Sequence, residues 1–308
     1  MQKHISGITI LLGLLFLPAL LAGQACCTSG TPILGSLELP ATPPGRFQTA
    51  VSYDYKSLQD LVDGRDLLQE HLRSRSTHSL LLEMSYGLSH SFSLSGLFSY
   101  VRQERRILPG SQETNTLTTQ GVGDAVFLVK YMLIKGTVFS QRSLSIGVGP
   151  KIPIGKFQLR SDGIVAPYDM QPGTGAWDAI LWANFQQGFR PFPVSAYATA
   201  AYRATGTNET GFEFGDEFIG NAGLTYHANI PVDFSIISKV RRVAPDRRHG
   251  AAIANTGGIW VSLVPGAGID LGETFSLRFS GQVPVYRDLN GLQLTTSYRI
   301  SLSVYSFL

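Results

Sequence analysis

From Leu292 to Val304 the chain alternates without a break. Leu292, Leu294, Thr296, Tyr298, Ile300, Leu302 and Val304 fall on one parity, and Gln293, Thr295, Ser297, Arg299, Ser301 and Ser303 fall on the other. Successive side chains of an extended strand point to opposite faces, so the pattern describes a strand with one apolar and one polar face. It is longer than the roughly five or six residues of an ordinary globular strand. It also covers the roughly nine to eleven residues that a tilted strand needs to cross a bilayer. The same alternation runs from Phe275 to Val285, with Ser276, Arg278, Ser280 and Gln282 opposite, and from Val232 to Val240, with Asp233, Ser235 and Lys239 opposite. Further strands are expected near 46–56, 77–88, 92–104, 122–133, 143–154, 176–187, 192–203, 217–228 and 257–266.

About twelve such strands imply an all-β chain, and the spacing between them narrows the choice of architecture. Long polar links near 57–76, 105–121, 155–175, 204–216 and 241–256 alternate with short ones near 89–91, 188–191, 229–231 and 270–274. The link near 134–142 is longer than its class, and the last one, near 286–291, is shorter than its own. A soluble sandwich would also alternate, but it would not put aromatic and aliphatic groups on an outward face of every strand. An edge left open in hydrocarbon would expose amides costing several kcal/mol each, so the sheet must close. The expected fold is a transmembrane antiparallel β-barrel of about twelve strands, with short periplasmic turns and longer extracellular loops. On this reading Ser111, Ser161, Asn208 and Arg247 lie in exterior loops, and His90, Arg190 and Pro231 lie in periplasmic turns.

Composition agrees with a wall that faces lipid. Charged residues make up 15% of the chain and glycine supplies 33 of 308 residues, against about 25% and 7% in soluble domains. After the leader, no apolar run approaches the roughly eighteen residues of a membrane helix. That leader begins with Lys3 and His4, continues through an apolar run from Ile8 to Ala22, and ends in Gly23, Gln24 and Ala25. Residues 1–25 are therefore expected to be a signal peptide for export to the outer membrane of a Gram-negative cell. Lipidation of Cys26 is disfavoured, because Gly23 stands where a lipoprotein signal wants Leu. Cys26 and Cys27 are adjacent and pair poorly. Residues 26–45 carry Pro32, Pro40, Pro43 and Pro44, and proline cannot donate to a ladder. This segment is expected to be a periplasmic tail or, given Ile33, Leu34, Leu37 and Leu39, a plug in the lumen. Residues 46–308 would form the barrel.

The polar parity of each strand gives the candidate lumen lining. It presents Glu83, Asp124, Asp178 and Asp233 as acids, and Lys130, Lys151, Arg203, Lys239, Arg278 and Arg299 as bases. Either these pair across strands and stiffen the wall, or they bias a hydrated path toward anions and polar solutes. His227, beside Thr225, reads as a polar lining residue. A serine hydrolase would want His and Ser on one face, two apart or on neighbouring strands, with an acid to orient the His. The adjacent pairs His78-Ser79 and His90-Ser91 point to opposite faces, so no catalytic residue is assigned. No His/Cys group has metal-ligand spacing and no cofactor is implied. The net charge of +3 is scattered along the chain, which gives no sign of nucleic-acid binding.

Two glycine-rich pieces, Gly121-Val122-Gly123-Asp124 and Gly173-Thr174-Gly175-Ala176-Trp177-Asp178, enter strands and not helices, so they are not phosphate cradles. They read as one device used twice, with the two acids at matching depth near the outer rim of the lumen. The stretches Gly121 to Tyr131 and Gly173 to Ala179 resemble the meta-pathway phenol-degradation family of outer-membrane transporters. That resemblance implies a barrel that moves hydrophobic or aromatic compounds, with outer-membrane lipid and a small-molecule solute as partners. The closing segment Tyr298 to Leu308 resembles the C-terminal signature strand of bacterial outer-membrane proteins, with Phe307 one place before the end. It implies recognition by the barrel assembly machinery.

Overall fold

A computed structural model describes residues 24–25, 37, 39–70, 72–108, 115–136, 141–161 and 163–308. Twelve wall strands follow one another around the sheet in chain order. They are β1 (Phe47–Asp63), β2 (Arg73–Gly87), β3 (Phe92–Ile107), β4 in two pieces (Asn115–Val122 and Ala125–Ile134), β5 (Arg142–Ile152) and β6 (Asp178–Gly188). The circuit continues with β7 (Val194–Ala204), β8 (Glu217–His227), β9 (Val232–Val243), β10 (Gly258–Leu271), β11 (Phe275–Leu289) and β12 (Leu292–Phe307). Every neighbouring pair is antiparallel, and β12 closes on β1 by a ladder running from Gln48 opposite Phe307 to Asp63 opposite Leu292. Phe47 and Leu308 exchange both backbone hydrogen bonds, at 2.9 and 2.8 Å, so the first and last strands meet at the short-turn end.

The alternation decides which way each side chain faces. Along β3, Ser93, Ser95, Leu97, Ser99 and Val101 are buried in the lumen while Phe92, Leu94 and Tyr100 are exposed outside. The outer face of the whole barrel carries such groups, among them Val51, Leu80, Phe127, Val148, Leu181, Leu224, Ile236, Phe279, Ile300 and Leu302. An apolar belt of this extent suits hydrocarbon and not water.

Several strands run further than the alternation indicates. β1 continues to Asp63 and β3 to Ile107, so much of the links expected at 57–76 and 105–121 is strand. Beyond the lipid the outward face meets water, so Arg102, Glu104 and Arg106 take over the outward parity of β3 and the apolar signal disappears. β4 breaks at Gly123-Asp124, where the first glycine-rich device was read. Of the positions used to anchor topology, Ser161, Asn208 and Arg247 lie beyond the long-loop ends of the strands, and His90, Arg190 and Pro231 lie in the short turns. Ser111 falls outside the described residues, as do Cys26, Cys27, Ile33 and Leu34.

Ahead of β1, Gln24 and Ala25 pair in parallel with Gln293 and Leu294 of β12, whereas Leu37 and residues 39–46 do not continue the wall. Leu37 packs with Leu81, Leu97, Val126, Leu128, Ile180 and Trp182, the inward apolar residues of β2, β3, β4 and β6. Leu39 packs with Ala50 and Tyr305. The Thr42 hydroxyl donates to the Gln48 side-chain oxygen at 3.2 Å and lies 2.6 Å from the Ser85 hydroxyl. The chain leaves the lumen at Gly87, where a Cβ would lie 1.9 Å from the carbonyl oxygen of Pro43. Only glycine permits that approach.

Candidate functional site: the lumen

The lumen has a charged outer half and a hollow inner half. In the outer half, consecutive strands contribute ions of alternating sign. The Lys151 ammonium on β5 lies 2.8 Å from Asp124 and 3.0 Å from Asp178. Asp178 faces Arg203 on β7 at 3.8 Å, Arg203 meets Glu217 on β8 at 3.1 Å, and Glu217 meets Arg241 on β9 at 2.6 Å. Arg241 then stacks over the Trp260 ring at 4.9 Å, and the Trp260 indole donates to Thr295 on β12 at 2.9 Å. Buried charges of one sign would be prohibitive, and the alternation gives each its counter-ion. The two glycine-rich devices supply Asp124 and Asp178 to this girdle. Gly155 and Thr174 donate backbone amides to Asp124 at 3.1 and 3.0 Å, which ties loop 153–177 to the wall.

That loop fills the mouth. Met170 and Gln171 are buried inside it. Asp169 reaches the opposite wall, where its carboxylate accepts from Arg75 on β2 at 2.9 Å. Tyr168 stacks on Phe212 of the next long loop with centroids 3.9 Å apart, and its hydroxyl lies 2.8 Å from that of Thr210. Below it, on the side of β2, β4 and β6, the segment around Leu37 and Leu39 is fastened through its backbone. Leu39 donates to Glu83 at 3.1 Å and accepts from Lys130 at 2.6 Å, while Leu37 accepts from the Trp182 indole at 3.3 Å. The Lys130 ammonium lies 3.4 Å from Glu83 and 4.5 Å from the Trp182 ring centroid.

Between this segment and strands β6 to β12 lies a cavity of about 610 Å³. Asn184, Thr199, Asn221, Thr225 and Gln282 give it neutral polar groups, and Leu37, Leu39, Ile237, Tyr197 and Tyr305 give it apolar surface. Lys239, Arg278 and Arg299 bring positive charge, with Arg299 paired to Asp54 and Arg278 lying 5.3 Å over the Tyr305 ring. Asp233 and His227 stand at the short-turn end, 2.9 Å apart.

The candidate lining residues thus separate into three places. Glu83 and Lys130 hold the inner segment, Asp124, Lys151, Asp178 and Arg203 form the outer girdle, and His227, Asp233, Lys239, Arg278 and Arg299 line the cavity. Glu217 and Arg241 complete the girdle and were not among the candidates. Arg241 shares the parity of Asp233 and Lys239, but fell in a segment read as loop. Arg75 and Asp54 were missed for a related reason, since neither shows its partner until Asp169 and Arg299 are brought across the barrel. No group of His, Cys, Asp and Glu suited to a metal occurs among the described residues.

No family model matches the chain, and no curated protein matches it in sequence. Among solved structures it is similar to the COG4313 outer membrane channel from Pseudomonas putida F1, with a TM-score of 0.67 and 14% identity over 88% of this chain and 98% of that one. The TodX deltaS2S3 mutant monoaromatic hydrocarbon channel scores 0.45 at 10% identity, covering 92% and 95%. The NanC porin scores 0.42 at 11% identity, covering 85% and 99%. Of these three the first alone exceeds 0.5, and at 14% identity it shows a shared fold, the outer-membrane barrel.

Proposed function

We propose that the chain is an outer-membrane channel for small solutes, narrowed from within by its own N-terminal segment. The observation that carries this reading is the cavity of about 610 Å³ enclosed by a closed wall and floored by Leu37, Leu39 and Pro40. Its amides, hydroxyls and cations suit a solute with polar or anionic groups, and its leucine and tyrosine surface suits an aromatic or aliphatic body. The resemblance to the phenol-degradation transporters favours small aromatic compounds. In this reading the last strand, ending in Phe307 and Leu308, is what the barrel assembly machinery recognises. Residues 1–25 are the export signal, and residues 26–44 are the plug.

Loop 153–177 favours a second reading, a barrel that presents its loops to a partner and conducts nothing, because Asp169 pairs with Arg75 across the mouth. Uptake separates the two. Proteoliposomes holding the refolded protein should take up benzoate or phenol faster than empty liposomes, and Arg75→Ala should raise the rate several-fold by freeing the loop. Equal uptake with and without protein, in both forms, would favour the closed scaffold.

A further inference from the structure

At the short-turn end of the lumen, three side chains on three consecutive strands form a hydrogen-bonded chain. The Ser195 hydroxyl on β7 lies 2.9 Å from Nε2 of His227 on β8, and Nδ1 of the same ring lies 2.9 Å from the carboxylate of Asp233 on β9. Register explains the assembly. His227 stands directly opposite Asp233, Ser195 stands opposite Thr225, and Ser195 and His227 are therefore diagonal neighbours on the same face. All three line the cavity.

We propose that Ser195, His227 and Asp233 form a hydrolytic centre acting on small carboxylic esters that enter the lumen. A carboxylate can only accept, so Nδ1 carries the ring proton toward Asp233 and Nε2 presents its lone pair to the serine hydroxyl. That is the tautomer a general base needs. His227 is 47% exposed at its side chain, so the base is open to a molecule in the cavity. Arg278 on β11 lies further along the same wall, two strands from Asp233 across Gly268, with its guanidinium 5.3 Å over the Tyr305 ring.

The reaction needs only water as co-reactant. Ser195 Oγ bonds to the ester carbonyl carbon while its proton passes to His227 Nε2. The carbon–oxygen bond to the alcohol then breaks, and that proton leaves with the alcohol. Water gives a proton to the same nitrogen and attacks the acyl carbon, the acyl–Oγ bond breaks, and that proton passes to Ser195 Oγ as the acid is released. Asp233 holds the ring and balances its transient charge.

The test uses the refolded full barrel, with 4-nitrophenyl butyrate as substrate and a fluorophosphonate as covalent probe. The probe should label Ser195, as mapped by mass spectrometry, and Ser195→Ala should abolish both labelling and turnover. His227→Ala should lower the rate about 100-fold or more, and Ser238→Ala, on the outward face of β9 and away from the cavity, should leave it unchanged. Conductance should be the same in Ser195→Ala as in the parent, so this centre and the channel reading stand or fall separately. Labelling of wild type needs no variant to fold. A probe that leaves Ser195 unmodified, or turnover unchanged in Ser195→Ala, overturns the proposal.

Discussion

Lys151 holds Asp124, Asp178 and the Ala176 carbonyl at 2.8, 3.0 and 2.8 Å, and its side chain is wholly buried. Removing one member of such a group strands the others without water, at about 3–5 kcal/mol. Lys151→Met should therefore lower the unfolding free energy in urea by that order, whereas Arg65 pairs with Asp288 at the exposed surface and Arg65→Met should cost far less. Equal losses would mean the girdle is hydrated. In the loop between β9 and β10, burial pushes the Asp246 carboxyl up to about 6, against the hydrogen bond from the Gly215 amide, with Asp169 adding to the shift and Arg203 and Arg241 also opposing it. A raised carboxyl favours the protonated form in the folded loops. Their stabilisation is complete below the ordinary value of 3.8 and is lost as pH rises to about 6. The Ile253 amide donates to the Asp246 backbone carbonyl at 2.8 Å, so its exchange, corrected for intrinsic rate, should be more protected at pH 4 than at pH 7. Asp246→Asn should erase the difference, and a difference that persists would place its origin elsewhere. Of these residues, Asp124 and Asp178 were legible from their shared glycine-rich lead-in, and their convergence on Lys151 follows from it. Ser195 was not legible beside His227, because a diagonal neighbour depends on a register that parity alone leaves open.

Elements were read most securely where lipid is the neighbour. β11 and β12 were visible because Leu277, Phe279, Ile300 and Leu302 must face hydrocarbon while Ser280 and Ser301 must not. Ile300→Arg should cost about 2–4 kcal/mol if it lies near the midplane, and Ser280→Arg should cost much less. Refolding titrations in lipid would measure both, and equal costs would mean that the faces are reversed. Past the lipid the rule lapses, which is why the upper parts of β1 and β3 read as loop. The N-terminal segment posed a different problem, since its prolines exclude it from the ladder without saying where it goes. Its course depends on pairings such as Leu39 with Glu83 and Lys130, which join residues far apart in sequence. Gly87→Ala is the sharpest probe of that course: the added methyl meets the Pro43 carbonyl and should displace residues 42–44. Heightened proteolysis near Pro43 would register the displacement, and unchanged protection would show that the segment does not pass there.

As a whole the molecule is a wall whose contents decide its function. Closure by β12 on β1 makes the sheet a barrel, and loop 153–177 at one end and Leu37 and residues 39–42 inside occupy its lumen. At roughly 3.3 Å per residue, residues 26–44 could reach about 60 Å, well beyond an apolar band of about 25 Å. In the proposed channel this segment restricts a path that the wall would otherwise leave open. Single-channel conductance in a planar bilayer tests it most directly, comparing the whole protein with a variant lacking residues 28–44, both shown to be folded barrels by heat-modifiable migration. The whole protein should show a small conductance that rises several-fold on deletion. Equal conductance in the two correctly inserted proteins would contradict it.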